Sequence, residues 1–333
     1  MKKMLYTRML LCIGLGLFVF SCTTDEDEEL MGNWIRRSDF EGITRSSSVS
    51  FTIGEFAYVG LGYDGDDDLV DFWRYDASQD FWTRVDTFPG VGRRGAIAFS
   101  IDGKGYVGTG YNGEADQELK DFWSFDPNAS PGTQWQQVAD FAGSARYNAV
   151  GFALSGLGYI GTGYDGNWLK DFYEYDPNTN TWQQVVSLGG SKREDAVAFV
   201  IDDQAYVGTG RNNGVYEFDF WAFSANTKTW TRKLELDEDD DYNIIRHNAS
   251  AFSLGGLGYI IGGSNGSTLN AVWEYDPLLD SWEQLTGIEG SAREGHVAFS
   301  INSRAYITTG RTSSIRLDDL WEFQPNEEYD EDD

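Results

Sequence analysis

Residues 108–113 read GTGYNG, the G-x-G-x-x-G spacing of a turn that lays a dinucleotide pyrophosphate on a helix N-terminus. The same spacing recurs at 60–65 (GLGYDG) and 161–166 (GTGYDG). One cofactor turn has no reason to occur three times. The residues after each copy alternate aromatics like a strand, and a pyrophosphate would need a helix there. These glycines therefore mark strand ends where backbones crowd and φ turns positive, and no cofactor is expected.

A second set of reactive residues also repeats. Arg45, Arg93, Arg146, Arg193, Arg246 and Arg293 each stand six residues before a Phe, in steps of 48, 53, 47, 53 and 47 residues. Just beyond each glycine pair lie Tyr63, Tyr111, Tyr164, Arg211 and Arg311. Guanidinium and phenol groups on one face suit an anionic or polyhydroxylated ligand, or an acidic peptide. The competing reading is structural: each Arg pairs with the Asp of a nearby D-F-W segment or caps loop carbonyls. Residues that differ between copies say more about function, namely Trp168, Arg211, Arg311, His247, Glu194 and Glu294.

The elements that carry these groups follow from the repeat. After the Arg comes a strand such as AVGFAL, with small and large side chains on opposite faces. A Tyr-led strand ends on glycine, then a third strand follows: DFWRYD, DFWSFD, DFYEYD, DFWAFS, AVWEYD or DLWEFQ. A lone Trp begins the fourth. Four strands per repeat of about 50 residues is the pattern of a β-propeller. The expected fold is all-β, with six blades of four antiparallel strands. The last copy has no fourth strand, while NWIRRSDFEGITR (33–45) matches FWTRVDTFPGVGR (81–93), so the N-terminal strand should pair into the last blade and close the ring. In this topology the six Arg and the loops between second and third strands share one face.

The repeat resembles the kelch family, most closely in YIIGGSNG…VWEYDPLLDSW (259–282). The resemblance implies a propeller but no particular function. Kelch propellers include galactose oxidase, whose copper site needs a Cys–Tyr crosslink and two His. Here His247 and His296 are the only histidines, and no cysteine lies where that crosslink needs one, so neither metal nor oxidase chemistry is expected. Sialic-acid mutarotases are also six-bladed kelch propellers. By that resemblance Glu194 and Glu294, which follow ring arginines, are the candidate acid/base groups of a carbohydrate mutarotase or epimerase. An acidic loop, YDGDDDLVD (63–71), has oxygens enough for Ca²⁺ but no full EF-hand pattern, and reads first as a solvated loop.

The chain ends bear on location. Lys2, Lys3 and Arg8 precede an apolar stretch at 9–20, and VFSC (19–22) resembles a bacterial lipobox, with Cys22 lipidated after removal of 1–21. The other reading is an ordinary secretory leader. Cleavage would remove three cations, taking the net charge from −29 to −32, and would discard Cys12. TTDEDEE (23–29) resembles the acidic export signal of surface lipoproteins of Bacteroides-type bacteria, or is a plain solvated tether at 22–32. The propeller is expected at 33–326 and a disordered acidic tail at 327–333. Such a charge excludes phosphate-backbone binding, so nucleic acid is not an expected partner. The expectation is a monomeric, non-catalytic binding or scaffold lipoprotein, anchored in the outer membrane and facing outward, whose partner is a glycan or an envelope protein.

Overall fold

The computed structural model describes residues 30–237, 242–330 and 332; the leader, Cys22 and the tether up to residue 29 lie outside them. Six four-stranded antiparallel sheets stand around a central channel. Blade one runs from Val49–Ile53 innermost, through Phe56–Gly60 and Phe72–Asp76, to Phe81–Arg84 outermost. The other blades repeat this order. Blade six differs in having Met31–Arg37 as its outer strand, antiparallel to Leu320–Glu328, with Trp34 opposite Phe323 and Arg36 opposite Trp321. The two ends of the chain thus share one sheet, which leaves no radial gap.

The innermost strands explain the core. In Val150–Leu154 the alternation V-G-F-A-L sends Val150, Phe152 and Leu154 into the interface with neighbouring blades. Ala96, Ala149, Ala196 and Ala249 line the channel. Each inner Phe stacks on the second-strand Tyr of its own blade. Phe51 lies 5.1 Å from Tyr58, Phe152 lies 5.2 Å from Tyr159, and Phe252 lies 4.9 Å from Tyr259. Apolar clusters form between blades rather than within them: one joins Phe51, Tyr58 and Phe72 of blade one to Val107 and Phe125 of blade two. No blade can bury its faces alone, so stability depends on neighbours.

Two closed circuits of backbone hydrogen bonds tie the ring at the channel mouth. In the first, the second glycine of each pair donates to the ring Arg carbonyl of the next blade, from Gly62 to Arg93 (2.9 Å) round to Gly310 and Arg45 (2.8 Å). In the second, Ser47, Gly95, Asn148, Asp195, Asn248 and Gly295 each donate to the carbonyl of the one before, and Ser47 closes the loop on Gly295 at 2.7 Å. All six have φ between +52° and +60°. That conformation is costly for the four that carry a Cβ, and it turns successive amides and carbonyls tangentially so that they meet. Of the GTGYNG amides, Gly110 donates to Arg146 of the next blade, Thr109 and Tyr111 to Asp121 and Arg94 of their own, and Gly113 to the Asp68 carboxylate of blade one; no helix follows them among the described residues.

Candidate functional site

The ring arginines do not form the binding face. Arg45, Arg93, Arg146, Arg193 and Arg293 are fully buried, and Arg246 is 1% exposed. Each reaches behind the mouth into a socket built by its own blade. Arg93 is representative: its Nε donates to the Val91 carbonyl (3.1 Å), Nη1 to the Thr109 carbonyl (3.0 Å), and both Nη groups to Asp121 (2.7 Å each). Asp71, Asp171, Asp219 and Asp319 occupy the same place in blades one, three, four and six. Burial pushes the Asp71, Asp121, Asp219 and Asp319 carboxyls up, but the arginine outweighs it and holds them below the usual range. The Trp two residues on donates to four of these carboxylates, as Trp123 does at 2.7 Å. The middle residue of each glycine pair, such as Thr109 with φ +57°, turns its carbonyl to the guanidinium. The arginines are fasteners, because a buried charge is stable only when paired and fully hydrogen-bonded.

The residues that do reach the mouth follow the ring Arg by one position or follow the glycine pair. Each couple is bridged: Ser46 to Tyr63, Arg94 to Tyr111, Tyr147 to Tyr164, Glu194 to Arg211, His247 to Ser264, and Glu294 to Arg311. Ser46, Tyr63, Arg94, Tyr111, Tyr147, Arg211 and Arg311 of these couples line a cavity of about 380 Å³, together with Arg316, Asn148, Asp195 and Asn248 among others. Tyr63, Tyr111, Arg211 and Arg311 thus stand on its wall. Tyr164 stands behind Tyr147, with ring centroids 5.7 Å apart. Arg94, Tyr147 and Arg316 were not expected. Arg94 and Tyr147 occupy a position that varies between copies (Ser46, Arg94, Tyr147, Glu194, His247, Glu294), and that variation is the signal beside the constant Arg.

The cavity has two sides. On one, the Tyr63 ring carries Arg94 at 4.2 Å and Arg316 at 4.8 Å, and Arg94 also lies 5.2 Å from Tyr111. Arg316 Nε donates to the Tyr63 carbonyl (2.9 Å), and the nearest carboxylate to Arg94 is Asp68 at 3.7 Å. Stacking holds both guanidiniums flat while their edges remain available. On the other side, Glu194 lies 3.4 Å from Arg211, accepts from Asn148 (3.2 Å) and Trp168 (3.3 Å), and neighbours Asp195. Burial and the Asp195 charge push the Glu194 carboxyl up, against the pull of Arg211. Burial and the Glu194 charge raise the Tyr147 phenol to about 12. Glu294 is tied to Arg311 at 2.8 Å. The carboxylates of the 63–71 loop turn to other tasks: Asp64 accepts from the amides of Asp66 and Asp67, Asp68 from Gly113, and Asp71 from Arg45. Among the described residues no three ligating side chains gather around a metal position.

Below the mouth, His296 stands where the other blades have Ser48 or Ala. A Cβ on Gly262 would come within 2.7 Å of His296 Cε1, so the Gly-Gly of blade five, in place of Thr-Gly or Leu-Gly, makes room for the imidazole. Neither ring nitrogen has a partner among the described residues. Burial first, and Arg293 behind it, depress the pKa from 6.5 to about 3. The unfolded chain therefore takes the proton first. Stability should fall as pH drops from about 6.5 towards 3, by up to about 1.4 kcal/mol per pH unit. Urea unfolding across that range should show a shallower slope for His296→Ala, and equal slopes would refute neutral burial.

A family description, the KLHDC2/KLHL20/DRC7 kelch-repeats domain, matches residues 163–310. The solved structure titled "Structure of YjhT" superposes with a TM-score of 0.72 at 16% identity, covering 85% of this chain and 95% of that one. No curated protein matches the sequence. The chain is a six-bladed β-propeller, with kelch repeats matched over residues 163–310. Since 972 solved chains match it, the architecture selects no ligand, and the mouth must be argued from its own residues.

Proposed function

We propose that this protein is a binding module of the bacterial envelope, lipidated at Cys22, that captures an acid-bearing glycan or a segment of an envelope protein in the mouth cavity. One observation supports this most: a chain of net charge −29 gathers four arginines and three tyrosines around a single concave site. An acidic exterior repels polyanions, while the cavity attracts one anionic group of limited size. Arg94 and Arg316 are the principal anion donors, because Arg211 and Arg311 already face Glu194 and Glu294. The kelch propeller itself is consistent with a scaffold for interactions.

Envelope extracts passed over the immobilised protein should yield a partner that Arg94→Ser/Arg316→Ser fails to retain. Loss of two charged hydrogen-bond donors, each worth about 1.5–3 kcal/mol, should weaken binding at least a hundredfold. Equal retention by this variant would refute the assignment. A second reading, a carbohydrate mutarotase, draws on the raised Glu194 carboxyl beside Arg211. It requires faster sugar anomer exchange in NMR spectra with the protein present, abolished by Glu194→Gln.

A further inference from the structure

Blade five departs from the other blades at one fastener. Its third strand begins AVW where the others begin with Asp, so Ala271 stands in place of the carboxylate that receives the ring Arg. Arg246 is nonetheless there and 1% exposed. Its Nε donates to the Ile244 carbonyl (3.0 Å), Nη1 to those of Gly262 (2.9 Å) and Ala271 (3.4 Å), and Nη2 to that of Asn243 (3.0 Å). Carbonyls satisfy hydrogens but supply no countercharge, and among the described residues no carboxylate pairs with this cation. Burial alone lowers its pKa to about 10.

A second group points to the same gap. In blades one, two, four and six the Trp of the third strand donates its indole N–H to the fastener carboxylate, at 2.7 Å, 2.7 Å, 2.9 Å and 2.7 Å. Trp273 is the equivalent residue, 6% exposed, and its Nε1 has no partner among the described residues. An indole donor and a guanidinium, neither with a carboxylate partner among the described residues, therefore flank the place that a carboxylate fills four times elsewhere in this molecule with the same two donors. The place lies near the surface: Ala271 is half-buried, and the aspartate side chains in the corresponding places are 11–25% exposed.

We propose that blade five carries a binding site for a small carboxylate anion, held between the Arg246 guanidinium and the Trp273 indole N–H over the methyl group of Ala271. The anion takes the place of the missing side chain and completes the sixth fastener, so its binding stabilises the ring. A carboxylate is favoured over a halide because the equivalent place uses two oxygens: at Asp71, Asp121 and Asp319 the arginine Nη1 serves Oδ1, while Nη2 and the indole N–H share Oδ2.

The test is thermal unfolding of the full chain against formate, acetate and chloride, with ionic strength held constant by isethionate, a bulkier sulfonate. The midpoint should rise with the logarithm of formate concentration, and less steeply with chloride. Ala271→Asp should raise the midpoint in isethionate alone and abolish the formate response. In ¹⁵N NMR the Trp273 indole peak, identified by its loss in Trp273→Phe, should move on formate titration of the unaltered protein. This last measurement holds even if Ala271→Asp fails to fold. A midpoint indifferent to formate, a stationary Trp273 peak, or a chloride effect larger than that of formate would each overturn the proposal.

Discussion

Trp34→Ala should lower the melting temperature of the whole propeller, with a loss of about 3–5 kcal/mol, and not merely loosen the N-terminal segment. Trp34 is fully buried in the cluster that holds Phe323 of its own blade together with Tyr259 and Leu285 of blade five. Its ring lies 4.5 Å from Phe323. Arg37 of the same strand donates to Glu322 (2.9 Å), whose side chain is 1% exposed. Removing residues 33–44 altogether should have a larger effect, because Phe40, packed edge-on against Trp82 at 4.9 Å, would go as well. In an open array such a loss would fray one end. Here both backbone circuits pass through the junction of blades six and one, at Ser47–Gly295 and Gly310–Arg45, so opening it strains every blade-to-blade step. Scanning calorimetry of the truncated chain is the measurement. An unchanged midpoint would mean that the closing strand decorates the ring without holding it.

The ring, its blade count and its closure were legible because each is written in short-range pattern. Inner strands with a central Phe and an Ile or Leu two residues on, Gly-ended Tyr strands and a lone Trp recur too often to mean anything else. The missing fourth strand of the last copy matched the extra one at the start. Depth was not legible. Spacing located Arg45 and its five counterparts on the correct side of each blade, yet one further residue along the chain decides between mouth and socket. The reason is the turn at Ser47, Gly95, Asn148, Asp195, Asn248 and Gly295. Its positive φ rotates the chain so that the residue before it faces the cavity and the Arg two before it faces inward. Nothing in the residue types signals that rotation, since Ser, Asn and Asp occupy most of these positions as they would any loop. Arg316 was hidden differently. It arrives from the blade-six loop and crosses to Tyr63 of blade one, a contact that exists only because the ring is closed.

Asp121→Asn should cost about 3–5 kcal/mol, the expected effect of stranding a buried cation. Arg93 would keep its bonds to Val91 and Thr109, but the amide would supply no countercharge and would present a donor where two acceptor oxygens now stand. Replacing both partners by apolar groups, as in Arg93→Met/Asp121→Leu, often rescues a buried ion pair elsewhere. Here it should not. The guanidinium is also the hydrogen-bond donor to the Thr109 carbonyl, which the φ of +57° turns towards it, and to the Val91 carbonyl that shapes the loop into the next blade. An unsatisfied buried carbonyl costs about 1–3 kcal/mol, so the double variant should remain destabilised, and Trp123 would lose the acceptor of its indole N–H as well. Chemical denaturation of the three proteins separates the contributions. A double variant as stable as the parent would show that charge pairing is the whole role of the socket. A double variant no better than Asp121→Asn would show that the arginine matters at least as much for the carbonyls it gathers as for the carboxylate it meets.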